Sequence, residues 1–351
     1  LELLVLHGAD PAILHEAHPH LGTDRLPGII AAIRNTIRDA GGEVLFSKRI
    51  TGISISGGRF RGVTVNDSES YTADDLILAT GHSARDIHAI LAGAGVRLAF
   101  KPFAMGVRVE HPQELIDRIQ YHGKPRGNYL PAAAYNLVTQ VDGRGVYSFC
   151  MCPGGFMVPS ATSPGEVVVN GMSPSHRNSR WANSGIVTEI REEDAVRYGS
   201  GPLAGTEYQA YLEKMAWKEG GMSQRAPAQR LTDFVEGRAS STLPEASYFP
   251  GLTPSPVHEW LPQDISGRLR EGFRDFGRKM KGFITGEALV AAVESRTSSP
   301  VRILRDPESL HAEGIEGLWP AGEGAGYAGG IVSSAVDGML LAARLQAGSR
   351  Q

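Results

Sequence analysis

The alternation of apolar and polar positions divides this chain into readable pieces. Leu1–Gly8 reads as the end of a helix. Beyond Gly22, the apolar residues Leu26, Ile29, Ile30, Ile33 and Ile37 recur at helical spacing until Gly41 and Gly42 stop the run. "EVLFS", residues 43–47, predicts a short buried strand. "RITGISIS", "GRFRGVTVN" and "ESYTA" alternate apolar and polar positions between Gly-Gly and Asn-Asp turns, which predicts a three-stranded meander. Leu76, Ile77, Leu78 and Ala79 form an unbroken apolar run, the pattern of a strand covered on both faces.

The texture changes near residue 94. "FAMGVRVEHP" predicts a strand, "PQELIDRI" a short helix, and "YNLVTQV" with "GVYSFCMC" a strand pair. Gly, Pro, Ser and Asn then dominate up to about Ser184. "GTEYQAYLEKMAWKEG" and "DISGRLREGFRDFGRKM" carry the pattern of amphipathic helices, and "TPSPVHEWLPQ" that of a Pro-rich connector. "FITGEALVAAVESRTSSPVRI" predicts a helix followed by a strand, "GLWPAG" a further strand, and Ile331–Leu345 a closing helix. No repeat or low-complexity tract interrupts this order. The expected organisation is one α/β domain split in sequence, residues 1–93 and 283–351. A second, α+β domain, residues 94–282, is inserted in its middle.

Composition mainly excludes. A net charge of −3 gives no footprint for nucleic acid or an anionic membrane. No apolar run approaches the roughly 18 residues that span a bilayer. "LELLVLHGAD" lacks the basic start and long apolar core of a signal peptide. It also lacks an initiator Met, so the chain is expected to be a fragment. Two cysteines, Cys150 and Cys152, cannot build a disulfide framework, and a cytoplasmic setting is expected.

The candidate chemistry lies in two stretches. "GLWPAGEGAGYAGGIVSSAVDG" places Gly322, Gly324, Gly326, Gly329 and Gly330 between a strand and a helix. Backbone N–H groups at such a helix mouth, with the helix dipole, favour an anion or a negatively polarised oxygen. Gly329 and Gly330 let a flat ligand touch the main chain, and Glu323 can accept hydrogen bonds from ligand hydroxyls. A mobile strand-to-helix turn is the plain alternative, and no GK[ST] follows to make a P-loop. "LILATGHSARD" is the second stretch. Its Thr80 and Gly81 end a strand at the edge where open α/β sheets bind ligands.

Taken in order, "HPHLGTDRLPGIIAAIR", "SFCMCPGG", "VVVNGMS", "ANSGIV", "ESRTSSPVRI" and "GEGAGYAGGIVSSAVDG" resemble the bacterial FAD-dependent, NAD(FAD)-utilising dehydrogenase-like family. That family belongs to the two-dinucleotide-binding-domain flavoproteins. The resemblance implies a Rossmann-like FAD-binding fold. It places Thr80, Gly81, Gly322, Glu323, Gly324, Gly329, Gly330 and Ile331 against FAD, with the terminal helix aimed at the flavin pyrimidine. Glu323 stands where those proteins more often have Asp. The family opens with a βαβ unit carrying G-x-G-x-x-G, which this chain lacks. The chain as given is therefore expected to bind FAD weakly or not at all, and the full protein well. The implied function is a FAD-dependent oxidoreductase, with hydride passing through flavin N5, a small-molecule substrate, and NAD(P)H as a possible electron donor. A non-catalytic module on the same scaffold and a flavin-dependent RNA-modifying enzyme stay open as other classes.

Further residues carry two readings each. Cys150 and Cys152 are either thiols near the flavin or two small buried hydrophobes. On a regular strand their Cα atoms would lie about 6.5–7 Å apart, at the edge of disulfide reach. Arg296, Ser298 and Ser299 of "SRTSSP" offer a guanidinium and hydroxyls to flavin or substrate, or form a turn cluster. Among His15, His18 and His20, only His20 sits in a family-like motif, and a solvated loop is the favoured reading for the three. No metal site is expected. Lys101, Arg108 and Arg126 read as surface charges, and "RLREGFRDFGRKMKG" as a solvated helix face.

Overall fold

The computed structural model describes residues 1–348 apart from His18. The chain divides into two compact units. The first comprises Leu1–Val44, Ala104–Glu189 and Ala210–Ser295, and the second Leu45–Phe103, Ile190–Gln209 and Arg296–Gln351. These boundaries differ from those read in the sequence for residues 1–44, 94–103, 190–209 and 283–295. Local bonds explain the first difference. The Thr23 N–H donates to Ser173 O at 3.1 Å, and the Ser175 N–H and hydroxyl both donate to the Asp24 carboxylate at 2.7 Å.

The first unit is built on a seven-stranded mixed sheet. Its strand order is Leu252–Pro254, Ala226–Arg230, Leu289–Glu294, Phe103–Pro112, Trp181–Ile190, Arg144–Cys152, Val138–Val141. Val107, Val109, Val146 and Ile186 are fully buried in it. The helix Gln263–Lys279 turns Ile265, Leu269, Phe273 and Phe276 inward. Gly272 lets this helix meet the sheet, since a Cβ there would come within 2.5 Å of Val146. Phe273 stacks near Phe283 and meets Phe234 edge-on at 5.8 Å.

Three expectations fail here. Leu289–Glu294 is a strand, not the end of a helix, and every residue in it is buried. A strand covered on both faces loses its period-two signature, and its alanines then imitate a helix. Trp181–Ile190 is likewise a buried strand inside a stretch that reads as loop, because Asn183, Ser184 and Thr188 are fully buried polar residues. "EVLFS" forms no strand, and Leu45 and Phe46 stand 52% and 63% exposed.

The second unit holds the predicted meander, antiparallel strands Ile50–Ser56, Arg59–Val65 and Glu69–Thr72. Leu98–Phe100 pairs antiparallel with Val301–Ile303, and Leu76–Leu78 pairs parallel with Leu318–Pro320. Phe60, Leu78, Ile87, Leu91, Ile303 and Leu318 share one core. The run Leu76–Ala79 is covered on one face only, for Ile77 is 39% exposed and Ala79 is exposed. The terminal helix Ile331–Gly348 buries Asp337 and Leu341, while Ile331, Val332, Val336, Met339 and Leu340 are exposed. Among the described residues no helix is long and apolar enough to cross a membrane.

Candidate functional site

Parallel pairing puts the ends of two strands at one edge of the second unit. Leu76, Ile77 and Leu78 lie opposite Leu318, Trp319 and Pro320 in register. The chain therefore leaves both strands side by side, into Ala79–His82 and Ala321–Gly330. These are the two stretches singled out in the sequence, and the structure brings them into contact. A Cβ on Gly324 would fall 2.4 Å from the Gly81 carbonyl oxygen, a distance only glycine permits. Gly81 and Gly322 both occupy the left-handed region, at φ +73° and +68°. His82, which sequence reasoning passed over, comes within 2.9 Å of Glu323 through its Nδ1. Thr80 is exposed beside them.

The glycine-rich segment is held, not loose. The Gly322 N–H donates to Asp337 at 2.7 Å, and the Tyr327 N–H to Gly322 O at 3.1 Å. Arg305 grips Asp337 with both guanidinium nitrogens, at 2.6 and 3.1 Å. The same guanidinium lies 3.8 Å over the Tyr327 ring, a cation–π contact. Burial works against the Asp337 charge, but Arg305 and the Gly322 amide outweigh it and hold the carboxyl below its usual range. The Gly324 carbonyl lies 2.9 Å from Nε2 of buried His88 and accepts a bond from Ser299 at 3.4 Å. "SRTSSP" thus reaches the glycine segment through Ser299, whose side chain is fully buried. Arg296 is also buried and Ser298 half-buried.

The mouth of the terminal helix is open by contrast. Gly329 is exposed and a Cβ there would meet nothing within 4 Å, while at Gly330 it would only touch Ser333 Oγ at 4.0 Å. Ile331 opens the helix and is 58% exposed. The first-turn amides of such a helix have no partners within it. A rigid glycine floor, an open helix N-terminus and a carboxylate oriented by His82 therefore share one edge of the second unit. The floor leaves room for a flat group, the helix mouth offers partial positive charge, and Glu323 offers a hydrogen-bond acceptor, a set whose chemistry fits FAD.

A second constellation lies in the first unit. Arg108, expected at the surface, is fully buried. It forms a two-pronged ion pair with Glu294 at 2.8 and 3.0 Å and donates to Asn183 at 2.7 Å, Cys150 O at 3.3 Å and Asn170 at 3.4 Å. Burial alone would weaken its charge, but Glu294 overcomes this and pushes the guanidinium pKa up. Glycines admit the group. A Cβ on Gly171 would strike Arg108 and Asn183 at 2.2 Å, and one on Gly185 would press Glu294 at 3.2 Å. "SFCMCPGG", "VVVNGMS", "ANSGIV" and the Glu of "ESR" therefore converge on one side chain. Charge patterning gave no hint of this. The signal was in the small residues beside Asn, which make room and supply acceptors.

Cys150 and Cys152 belong to this group but not to a regular strand. Asn183 pairs with Cys152 and Gly185 with Phe149, so two residues bulge opposite Ser184. Cys150 sits at φ +47°, exposed, and Cys152 is buried. Extended geometry does not apply to the pair, and Cys152 Sγ lies 3.4 Å from the Cys150 carbonyl oxygen.

His20 is half-buried, with Nε2 3.1 Å from Pro174 O, in a cavity of about 310 Å³ lined also by Ile13, Glu16, Arg25 and His176. His15 is exposed, and His18 lies outside the described residues. No group of three potential metal-ligating side chains occurs among the described residues. Lys101 is half-buried, and Arg126 faces Asp117 at 3.6 Å.

A mixed α/β flavoprotein is what this fold and the family comparison define together. The model of "FAD-dependent protein, C-terminal domain-like" matches residues 102–297, and the chain belongs to that family. FAD is the cofactor this membership supports. An uncharacterized protein of Clostridium beijerinckii is 42% identical over 346 residues, covering 97% of this chain and 64% of its own length. The chain thus spans just under two thirds of that relative. Among solved structures, NikD, an unusual amino acid oxidase essential for nikkomycin biosynthesis, is 15% identical over 54% of this chain and 40% of its own, with a TM-score of 0.26. CtdE, solved with FAD and a substrate, is 10% identical over 85% and 49%, with a TM-score of 0.27.

Proposed function

We propose that this chain is the flavin-facing part of a FAD-dependent oxidoreductase acting on a small molecule. The single supporting observation is the convergence of Gly81 with Gly324 beside the open helix mouth at Gly329–Gly330. Bound FAD supplies two-electron chemistry at such a site. The residues of the chain supply the surroundings of the flavin end. The helix Ile331–Gly348 directs its N-terminal amides towards Gly329 and Gly330, where they stabilise negative charge on a bound carbonyl. Glu323, fixed by His82, receives hydroxyl donors, and Thr80 offers a hydroxyl from the neighbouring strand end. Asp337, Arg305 and Tyr327 keep the segment from collapsing when no ligand fills it.

The test is flavin capture followed by turnover. The full protein incubated with FAD is expected to retain a visible flavin band after gel filtration, and the band is expected to bleach anaerobically with NADH, NADPH or a screened organic reductant. Retention without bleaching by any reductant in the screen would favour a non-catalytic flavin module. Protein that stays colourless and shows no quenching of FAD fluorescence at any concentration would overturn the reading.

A further inference from the structure

Three features of the first unit meet at the bulge of Cys150. Cys150 is an exposed residue held at φ +47°, which cysteine adopts only under constraint. The bulge brings the Sγ of buried Cys152 back to within 3.4 Å of the Cys150 carbonyl oxygen. Arg108, charged and fully buried, reaches the same carbonyl at 3.3 Å, with Glu294 on its far side.

We infer that Cys150 and Cys152 form a dithiol–disulfide couple, with Cys150 as attacking thiol and Cys152 as resolving thiol, that exchanges with small-molecule disulfides. Cys150 thiolate attacks one sulfur of R–S–S–R, forming a mixed disulfide and releasing one R–S⁻. Cys152 then gives up its proton to the released thiolate and attacks Cys150 Sγ, expelling the second R–S⁻. Two protein thiols are oxidised to one disulfide, and the small disulfide is reduced to two thiols.

The order of attack follows from the surroundings. The hydrogen bond from Cys152 comes first in lowering the Cys150 pKa, burial opposes it, and the Arg108 charge adds to it. That holds Cys150 below the usual thiol range, whereas Cys152 is pushed up by its hydrogen bond with Cys150 and by burial. Cys150 is thus the more thiolate-like thiol and the more exposed residue, which is the arrangement of a redox-responsive pair. Glu294 works against the Cys150 thiolate, but it is tied to Arg108.

The chain has only these two cysteines, so intact mass reads the whole reaction. Reduced protein is equilibrated anaerobically with glutathione and its disulfide at graded ratios, acid-quenched, unfolded and treated with N-ethylmaleimide. The wild type is expected to pass from two maleimide adducts to none, two hydrogens lighter and without bound glutathione. Cys152→Ser is expected to stop at one glutathione adduct, and Cys150→Ser to react at least about tenfold more slowly. Two alkylatable thiols at every ratio, a glutathione adduct that never closes in the wild type, or equal rates in the two variants would overturn the inference. Peptide mapping of the native wild type after a limiting dose of iodoacetamide needs no variant. Cys150 is expected to label first, and equal or inverted labelling would overturn the assignment.

Discussion

The two units build polar sites by opposite means. In the first, side chains do everything. Arg108, Glu294, Asn170 and Asn183 close on one another in the interior, and glycines serve only to make room. In the second, the main chain does the work. Side chains are removed at Gly81, Gly324, Gly329 and Gly330, and the charged residues stand behind the floor as Asp337 and Arg305. A closed side-chain network gives up its hydration and is unforgiving of any lost partner. An open main-chain surface gives up little and can wait for a ligand. The first should therefore answer to mutation in stability, and the second in binding.

The largest expected effect tests the closed network. Arg108→Met strands Glu294 without its partner and is expected to cost about 3–5 kcal/mol in urea denaturation. Replacing Glu294 by Leu as well is expected to return part of that loss. Equal losses in single and double variants would show that packing, not the charge pair, holds the centre.

A somewhat smaller effect is written in pH. Burial raises the Glu110 carboxyl to about 7 from 4.5, so the folded state holds a proton that the unfolded state gives up. That term lowers stability as pH rises from about 4.5 to 7, by roughly 3 kcal/mol in all. Burial lowers the neighbouring His111 to about 4 from 6.5, and its term lowers stability as pH falls through that window. The two oppose each other, and the wild-type profile is expected to be nearly flat there. Glu110→Gln is expected to unmask the histidine, with stability dropping as pH falls from 6.5 to 4. A profile unchanged by that substitution would contradict both assignments.

The glycines of the second unit supply the contrast. Gly324→Ala forces a Cβ against the Gly81 carbonyl and is expected to cost about 1–3 kcal/mol along with FAD retention. Gly329→Ala meets nothing and is expected to change stability by less than about 0.5 kcal/mol while weakening FAD binding. Equal behaviour of the two variants would remove the distinction between floor and mouth.

Much of this molecule was legible in its sequence where one face of an element meets solvent. The meander and the helices Leu26–Asp39, Ala204–Glu219 and Gln263–Lys279 all fall where the pattern puts them. The misreadings lie where periodicity carries no information. Leu289–Glu294 is buried on both faces, and Trp181–Ile190 buries Asn and Ser that pattern rules assign to loops. Of the site, the meeting of Thr80–Gly81 with the glycine segment was implied by the family resemblance, since a strand end alone reads only as a strand and a turn. His82, His88 and the Arg305–Asp337 clamp were not, because each depends on a partner more than 15 residues or hundreds of residues away. Arg108 was assigned to the surface because a lone arginine on a strand gives no sign of a buried glutamate 186 positions on.

Amide hydrogen exchange of the full protein, with and without saturating FAD, tests the central claim most directly. Protection is expected to rise in residues 79–82 and 322–333 and to stay level around Arg108. Flavin that binds while protecting amides elsewhere, or that fails to bind at any concentration, would contradict the account.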